Sequence, residues 1–99
     1  WNLWSQELPW QTRSPGDWMR TENCYYSAQA VEKSIPQFMD IMNPNTVGFN
    51  SDYSHGDGAS PDSVKLIWTR TDLTEEQKRK VLGENAARFY KIPLVSPNV

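Results

Sequence analysis

The sequence predicts an α/β chain: a strand–helix–strand unit of parallel sheet that completes something larger than itself. Three observations predict this. Asn23–Ser27 is a short, uncharged, β-prone run. Ile35, Phe38, Met39 and Met42 then repeat at helical spacing, and Thr46–Ser51 is a second β-prone run. Strand, helix and strand in that order, with short connections, form a parallel βαβ unit. Two parallel strands leave their edges unpaired and their faces uncovered, and a closed parallel barrel needs eight.

Each element follows from local residues. In segment 1–13, Trp1, Leu3, Trp4, Leu8 and Trp10 are too many large apolar groups for thirteen residues to bury. The 1, 4, 8 spacing predicts one face of a short helix ending before Pro9. Ser14-Pro15-Gly16-Asp17 is a turn or a helix start, and Trp18-Met19-Arg20 follows as a single helical turn. Ser34 is the expected N-cap of the next helix, with Pro36 in its first turn, and Asn43-Pro44-Asn45 stops it. After the second strand, Asp52-Tyr53-Ser54-His55-Gly56-Asp57-Gly58-Ala59 has the polarity and length of a functional loop. Ser60-Pro61 predicts the next helix, striped by Val64, Ile67 and Trp68. Thr74-Glu75-Glu76-Gln77 is a capping box. It opens a last helix that Gly83 is expected to interrupt, with Ala86, Phe89 and Tyr90 turned inward and Pro93 ending it. Residues 93–99 form a tail.

The totals exclude several classes of function. Net charge is -2, and the densest basic run, Lys78-Arg79-Lys80, follows Glu75-Glu76, as on a solvated helix face. Nucleic-acid binding wants clustered cations without such neighbours. No apolar run approaches the roughly 18 residues of a membrane span, and no leader pattern opens the chain. The single cysteine, Cys24, rules out an internal disulfide and is expected as a buried thiol in the first strand. These features predict a cytoplasmic protein. The start at Trp1 rather than Met suggests a fragment or a processed product.

Two segments carry a family resemblance. Val47-Gly48-Phe49-Asn50-Ser51-Asp52-Tyr53-Ser54-His55 resembles the last-strand signature of the amidohydrolase-related metal-dependent barrels, an apolar strand running into Ser-Asp-Tyr-Pro-His. Leu82-Gly83-Glu84-Asn85-Ala86-Ala87-Arg88-Phe89-Tyr90 resembles that family's closing Leu-Gly-Gly-Asn-Ala-Ala-Arg-Leu-Tyr helix. The run 72–80 is similar to the preceding helix, and Pro15–Arg20 to the Pro-Ser-Glu-Tyr-Phe-Arg turn before the seventh strand. The likeness covers residues 14–92. It departs at Ser54, Glu84 and Gly16, where Pro, Gly and Ser are usual.

The resemblance implies the C-terminal part of a (β/α)8 barrel, with strands seven and eight at 23–27 and 46–51. Residues 1–99 would be one segment of it. Asp52 would then lie at the C-terminal end of strand eight, the face where barrel enzymes work. There it would bind a divalent metal, zinc before manganese, iron or cobalt, or accept a proton from metal-bound water. Without the resemblance, Asp52 reads as a turn residue. His55 matches the family's motif histidine and is expected to orient Asp52 or face substrate, or else to be a solvent-facing loop residue. Asp57 is read as a turn or helix cap, Asn85 as a cap and Arg88 as one half of a local ion pair. Trp10 and Trp18 are candidates for the substrate mouth.

A catalytic zinc wants about three protein ligands, and this chain has one histidine and one cysteine. The expected partner is therefore a polypeptide carrying strands one to six and the metal-binding histidines, in an oligomer acting on a small molecule. The isolated chain is expected to be inactive. Hydrolysis of C–N, C–O or C–C bonds and non-oxidative decarboxylation are both implied. The alternative is a non-catalytic barrel subunit needed to assemble a catalytic partner. An independent aromatic-rich binding module is a third reading, disfavoured by the unpaired strand edges.

Overall fold

The structure is a computed structural model that describes residues 5–56, 58 and 60–94. Trp1, Leu3, Trp4 and Asp57 lie outside the described residues. Two strands, β1 (Tyr26–Gln29) and β2 (Val47–Asn50), pair in parallel with Tyr26 level with Val47 and Gln29 level with Asn50. Helix α2 (Ile35–Ile41) connects them, so the βαβ unit is present as the sequence predicts. Helix α1 (Pro15–Met19) precedes the sheet. Helices α3 (Ser63–Trp68), α4 (Glu75–Arg79) and α5 (Asn85–Phe89) follow it, and a π-helical turn, Lys80–Glu84, joins the last two.

Alternation along the strands separates two faces. Ala28 and Val47 point to the helices and join Ala30, Ile35, Met39, Ile67, Leu73 and Val81 in one core, against which Phe38 and Phe49 pack. Tyr26 meets Phe38 edge to face at 5.1 Å. The other face carries Ser27, Gln29, Gly48 and Asn50, with the Asn50 amide donating to the Ser27 hydroxyl at 3.1 Å. A parallel sheet is normally covered on both faces. On this side the Tyr25 ring covers Gly48, while Ser27 is exposed and Gln29 and Asn50 are half-buried.

Several boundaries differ from the sequence expectation. The first strand runs over Tyr26–Gln29 rather than 23–27, because the Cys24 amide donates to Thr21 O and holds 21–24 in a turn. Cys24 is accordingly a half-buried loop residue whose Sγ reaches Trp18 O at 3.6 Å, not a buried strand thiol. Residues 5–7 form turns, so the helix expected through Leu8 does not extend over them. Ser34 precedes α2 but already has helical backbone angles, and its side chain caps nothing. Helix α3 starts at Ser63, not Pro61. Only Ile67 of its expected stripe is buried, with Val64 and Trp68 more than half exposed.

The capping box of α4 forms as expected, and α1 has a side-chain N-cap as well. Ser14 Oγ accepts from the Asp17 amide, and Thr74 and Gln77 close a reciprocal capping box. Gly83 does not interrupt the last helix but sits inside its π turn. That turn holds an extra residue, which advances the following face by about 100°. Asn85 and Ala87 therefore turn inward in place of Ala86, Phe89 and Tyr90. Asn85 is not a helix cap. It is 1 % exposed and donates from Nδ2 to Pro44 O and Val47 O, both at 2.8 Å, tying α5 to the start of β2. Arg88 pairs with the distant Glu22 at 3.7 Å and also donates to Asn45 O, rather than making a local pair.

A second tie sits at the opposite end of the strands. Arg70 donates from Nε and Nη2 to both Asp72 carboxylate oxygens, at 2.8 and 2.7 Å. Its Nη1 donates to Ala30 O at 2.9 Å and to Glu32 O at 2.7 Å. The guanidinium thereby clamps the loop after β1 to the loop between α3 and α4. Arg70→Ala should lower stability by about 2–3 kcal/mol in urea unfolding, and Lys should not restore it, because an ammonium cannot reproduce the planar fork. The Arg70 guanidinium also holds the Asp72 carboxyl below its usual range. A depressed carboxylate pKa contributes stability above its unfolded value, near 4, and loses it as pH falls through the folded value. The destabilisation caused by Arg70→Ala should therefore shrink in acid below about pH 4.

Candidate functional site at the strand ends

The two strands end side by side, at Gln29 and at Asn50, and the chain leaves β2 through Ser51 into Asp52. The exit is a tight double turn. The His55 amide donates to Asp52 O at 3.0 Å, and the Gly58 amide to His55 O at 3.1 Å. Asp52 has φ 51° and Ser54 φ 71°. Asp visits this left-handed region more readily than most residues, because its short side chain bonds locally. Proline is fixed near φ -65°, so it cannot hold the backbone that Ser54 adopts. Ser54, the chief departure from the family pattern, thus belongs to a loop geometry that the usual residue forbids. Gly58 is required for a different reason: a Cβ there would fall 2.5 Å from Asp52 O and 2.9 Å from Ser51 O.

The double turn brings the two predicted site residues together. His55 Nδ1 lies 3.9 Å from Asp52 Oδ2, with the side chains 69 % and 40 % exposed. That separation is ion-pair range but too long for a direct hydrogen bond. An imidazole so placed can bias where the carboxylate points. The carboxylate itself can take a cation or a proton.

Among the described residues no three His, Cys, Asp or Glu side chains converge as a cation site. Among the described residues of the loop, the donors are one carboxylate and one nearby imidazole, short of the roughly three protein ligands of a catalytic divalent site. They fit a share of such a site and do not complete one.

Two candidates fall elsewhere. Trp18 belongs to the opposite end of the sheet. The helix that carries it runs into Arg20, whose Nε donates to Ile41 O and whose carbonyl accepts from Asn43 Nδ2, just before β2 begins. Its ring lies under the Arg13 guanidinium at 5.1 Å. Trp10 is 72 % exposed. The polar face of the sheet also leads toward the strand ends, through Ser27, Gln29 and Asn50. Its signal in the sequence is that positions 27, 29, 48 and 50 are the small or polar partners in a period of two.

No helix among the described residues is long and apolar enough to cross a membrane. A family model described as amidohydrolase matches residues 1–92. No curated protein and no solved structure gives a match.

Proposed function

The chain belongs to the amidohydrolase family, and on that premise we propose that it supplies the last two strand–helix units, and the strand-end carboxylate of Asp52, to a metal-dependent (β/α)8 barrel. The observation that supports this most is the position of Asp52. It follows the C-terminal end of a parallel strand, where the catalytic groups of such barrels gather. The two-stranded sheet, with Ser27 exposed on its polar face, supports the further step that other polypeptide completes the barrel. That polypeptide carries strands one to six and the histidine ligands, either upstream in the same chain or as a separate subunit of an oligomer.

The family uses divalent metals, and zinc is the proposed ion, ahead of manganese, iron or cobalt. A bound divalent ion supplies a Lewis acid that polarises a small-molecule substrate or acidifies water. Asp52 contributes an ionised oxygen beside it, and His55 orients that oxygen or faces substrate. Hydrolysis of C–N, C–O or C–C bonds and non-oxidative decarboxylation of aromatic or unsaturated acids both suit such a centre.

The test is to purify this chain alone and together with the polypeptide encoded beside it, then measure bound metal and turnover on amide and aromatic-acid panels. The assembly should hold about one catalytic metal per barrel and turn over substrate, and the isolated chain should do neither. Full metal loading and turnover by residues 1–99 alone would overturn the proposal. So would an assembly that works equally well without this chain, which would leave it at most a non-catalytic partner.

A further inference from the structure

Each strand of the sheet has one side against its neighbour and one side facing away. In a parallel ladder the N–H and C=O of one residue point to the same side, and successive residues alternate. The Tyr26 amide donates to Thr46 O at 2.8 Å, so Tyr26 and Ala28 face β2, while Ser27 and Gln29 face outward. By the same rule Gly48 faces β1, while Val47 and Phe49 face outward on the far side.

Neither outward side is uniformly open. At the C-terminal end of β1 both backbone groups of Gln29 are taken by one residue. Its amide donates to Glu32 Oε1 at 2.8 Å, and its carbonyl accepts from the Glu32 amide at 3.0 Å. Glu32 is held from behind, since Arg70 Nη1 binds its carbonyl at 2.7 Å. On β2 the blockage is at the other end, where the outward carbonyl of Val47 accepts from buried Asn85 Nδ2. Beside the open part of the β1 edge runs a groove lined by Tyr26, Ala28, Ile35 and Phe38, with Glu32 at its rim.

We infer that the two strands flanking this unit are staggered in opposite directions along it: the one on β1 pairs at Ser27 and stops short of Gln29, and the one on β2 pairs at Phe49, beyond Val47. The inference rests on the barrel reading, which supplies a parallel strand as the occupant of each edge. A strand carbonyl cannot reach the Gln29 amide while Glu32 Oε1 occupies it. The Val47 carbonyl keeps a second lone pair, but the Asn85 amide occupies the side from which a strand amide would approach it. Glu32 therefore acts as a register stop, Asn85 crowds the edge at Val47, and the groove receives the apolar side chains of the strand on the β1 side. A progressive offset from strand to strand is what closing a tilted barrel demands, whereas strands ending flush would build a flat sheet.

Residue-resolved hydrogen exchange on the complete, assembled enzyme tests this. The Ser27 and Phe49 amides should exchange slowly. In E32A the Gln29 amide should accelerate by about tenfold or more, with Ser27 and the β2-facing Ala28 amide unchanged. E32Q, which keeps an acceptor oxygen, should restore the protection. The Ala28 amide reports whether either variant has lost the fold. Gln29 protection that persists in E32A while Ser27 stays slow would overturn the register stop alone, since a neighbouring strand would then hold that amide. Free exchange at Ser27 in the unmodified enzyme would remove the neighbouring strand, and with it the barrel reading.

Discussion

Asp52→Asn in the assembled enzyme should lower kcat by about 10²–10⁴-fold, the range expected when a group that handles a proton or cation at the reacting centre is removed. Asn is the informative replacement. Asp52 has φ 51°, and Asn is among the few residues that tolerate this region, so the loop should keep its shape. Ala would add backbone strain to the loss of charge and blur the reading. The substitution removes only the negative charge and one acceptor oxygen, and the His55 imidazole 3.9 Å away loses the anion it sits beside. Bound metal should fall together with kcat if Asp52 is a ligand, and should persist with a displaced pH profile if Asp52 takes a proton. His55→Ala should cost less, about 10–100-fold, as is usual for groups that orient a ligand. Activity within a few-fold of the parent in Asp52→Asn, with full metal content, would reduce Asp52 to a turn residue.

The sheet was legible in the sequence because its signals are local. Two β-prone runs flank a helical repeat, and a helical connection of that length suits a parallel crossover. Asp52 and His55 were legible as a pair for the same reason, being three residues apart in one loop. What escaped the sequence depends on partners far along the chain. Nothing local marks Arg70, yet two of its four bonds reach carbonyls about 40 positions earlier in the chain. Asn85 looked like a cap, yet it secures the start of β2. The π turn shifted the buried face of the last helix by one residue, and Gly83 alone carries no signal that distinguishes a break from a wider turn. The conformation of the 52–58 loop depends on Gly58 pressing on the Asp52 carbonyl, a contact that spacing does not announce.

Gly48 offers the sharpest test of the packing that holds β2. Gly48 looks like a weak point in a strand, since glycine loses much chain entropy on folding and contributes no side chain. Its use is space. A Cβ at position 48 would fall 1.7 Å from Tyr25 Oη and 2.7 Å from its Cζ. The Tyr25 ring cannot simply swing away, because it stacks on Phe89 at 5.2 Å and meets Tyr90 edge-on at 6.0 Å. Those two rings also pack on each other at 5.2 Å. Gly48→Ala should therefore destabilise the protein by about 1–3 kcal/mol or more in urea unfolding, as forced overpacking does. The penalty should not vary between pH 6 and 9, because burial first, and Tyr90 second, push the Tyr25 hydroxyl above its usual range and keep it neutral. Tyr25→Ala costs stability of its own by removing the stack, but it empties the space that the new methyl needs. The cycle of the two substitutions should thus be strongly non-additive, with Gly48→Ala costing little in the Tyr25→Ala background. Additive costs would mean that the ring does not cross the strand at Gly48, and that the residue four places before Asp52 is held by something else.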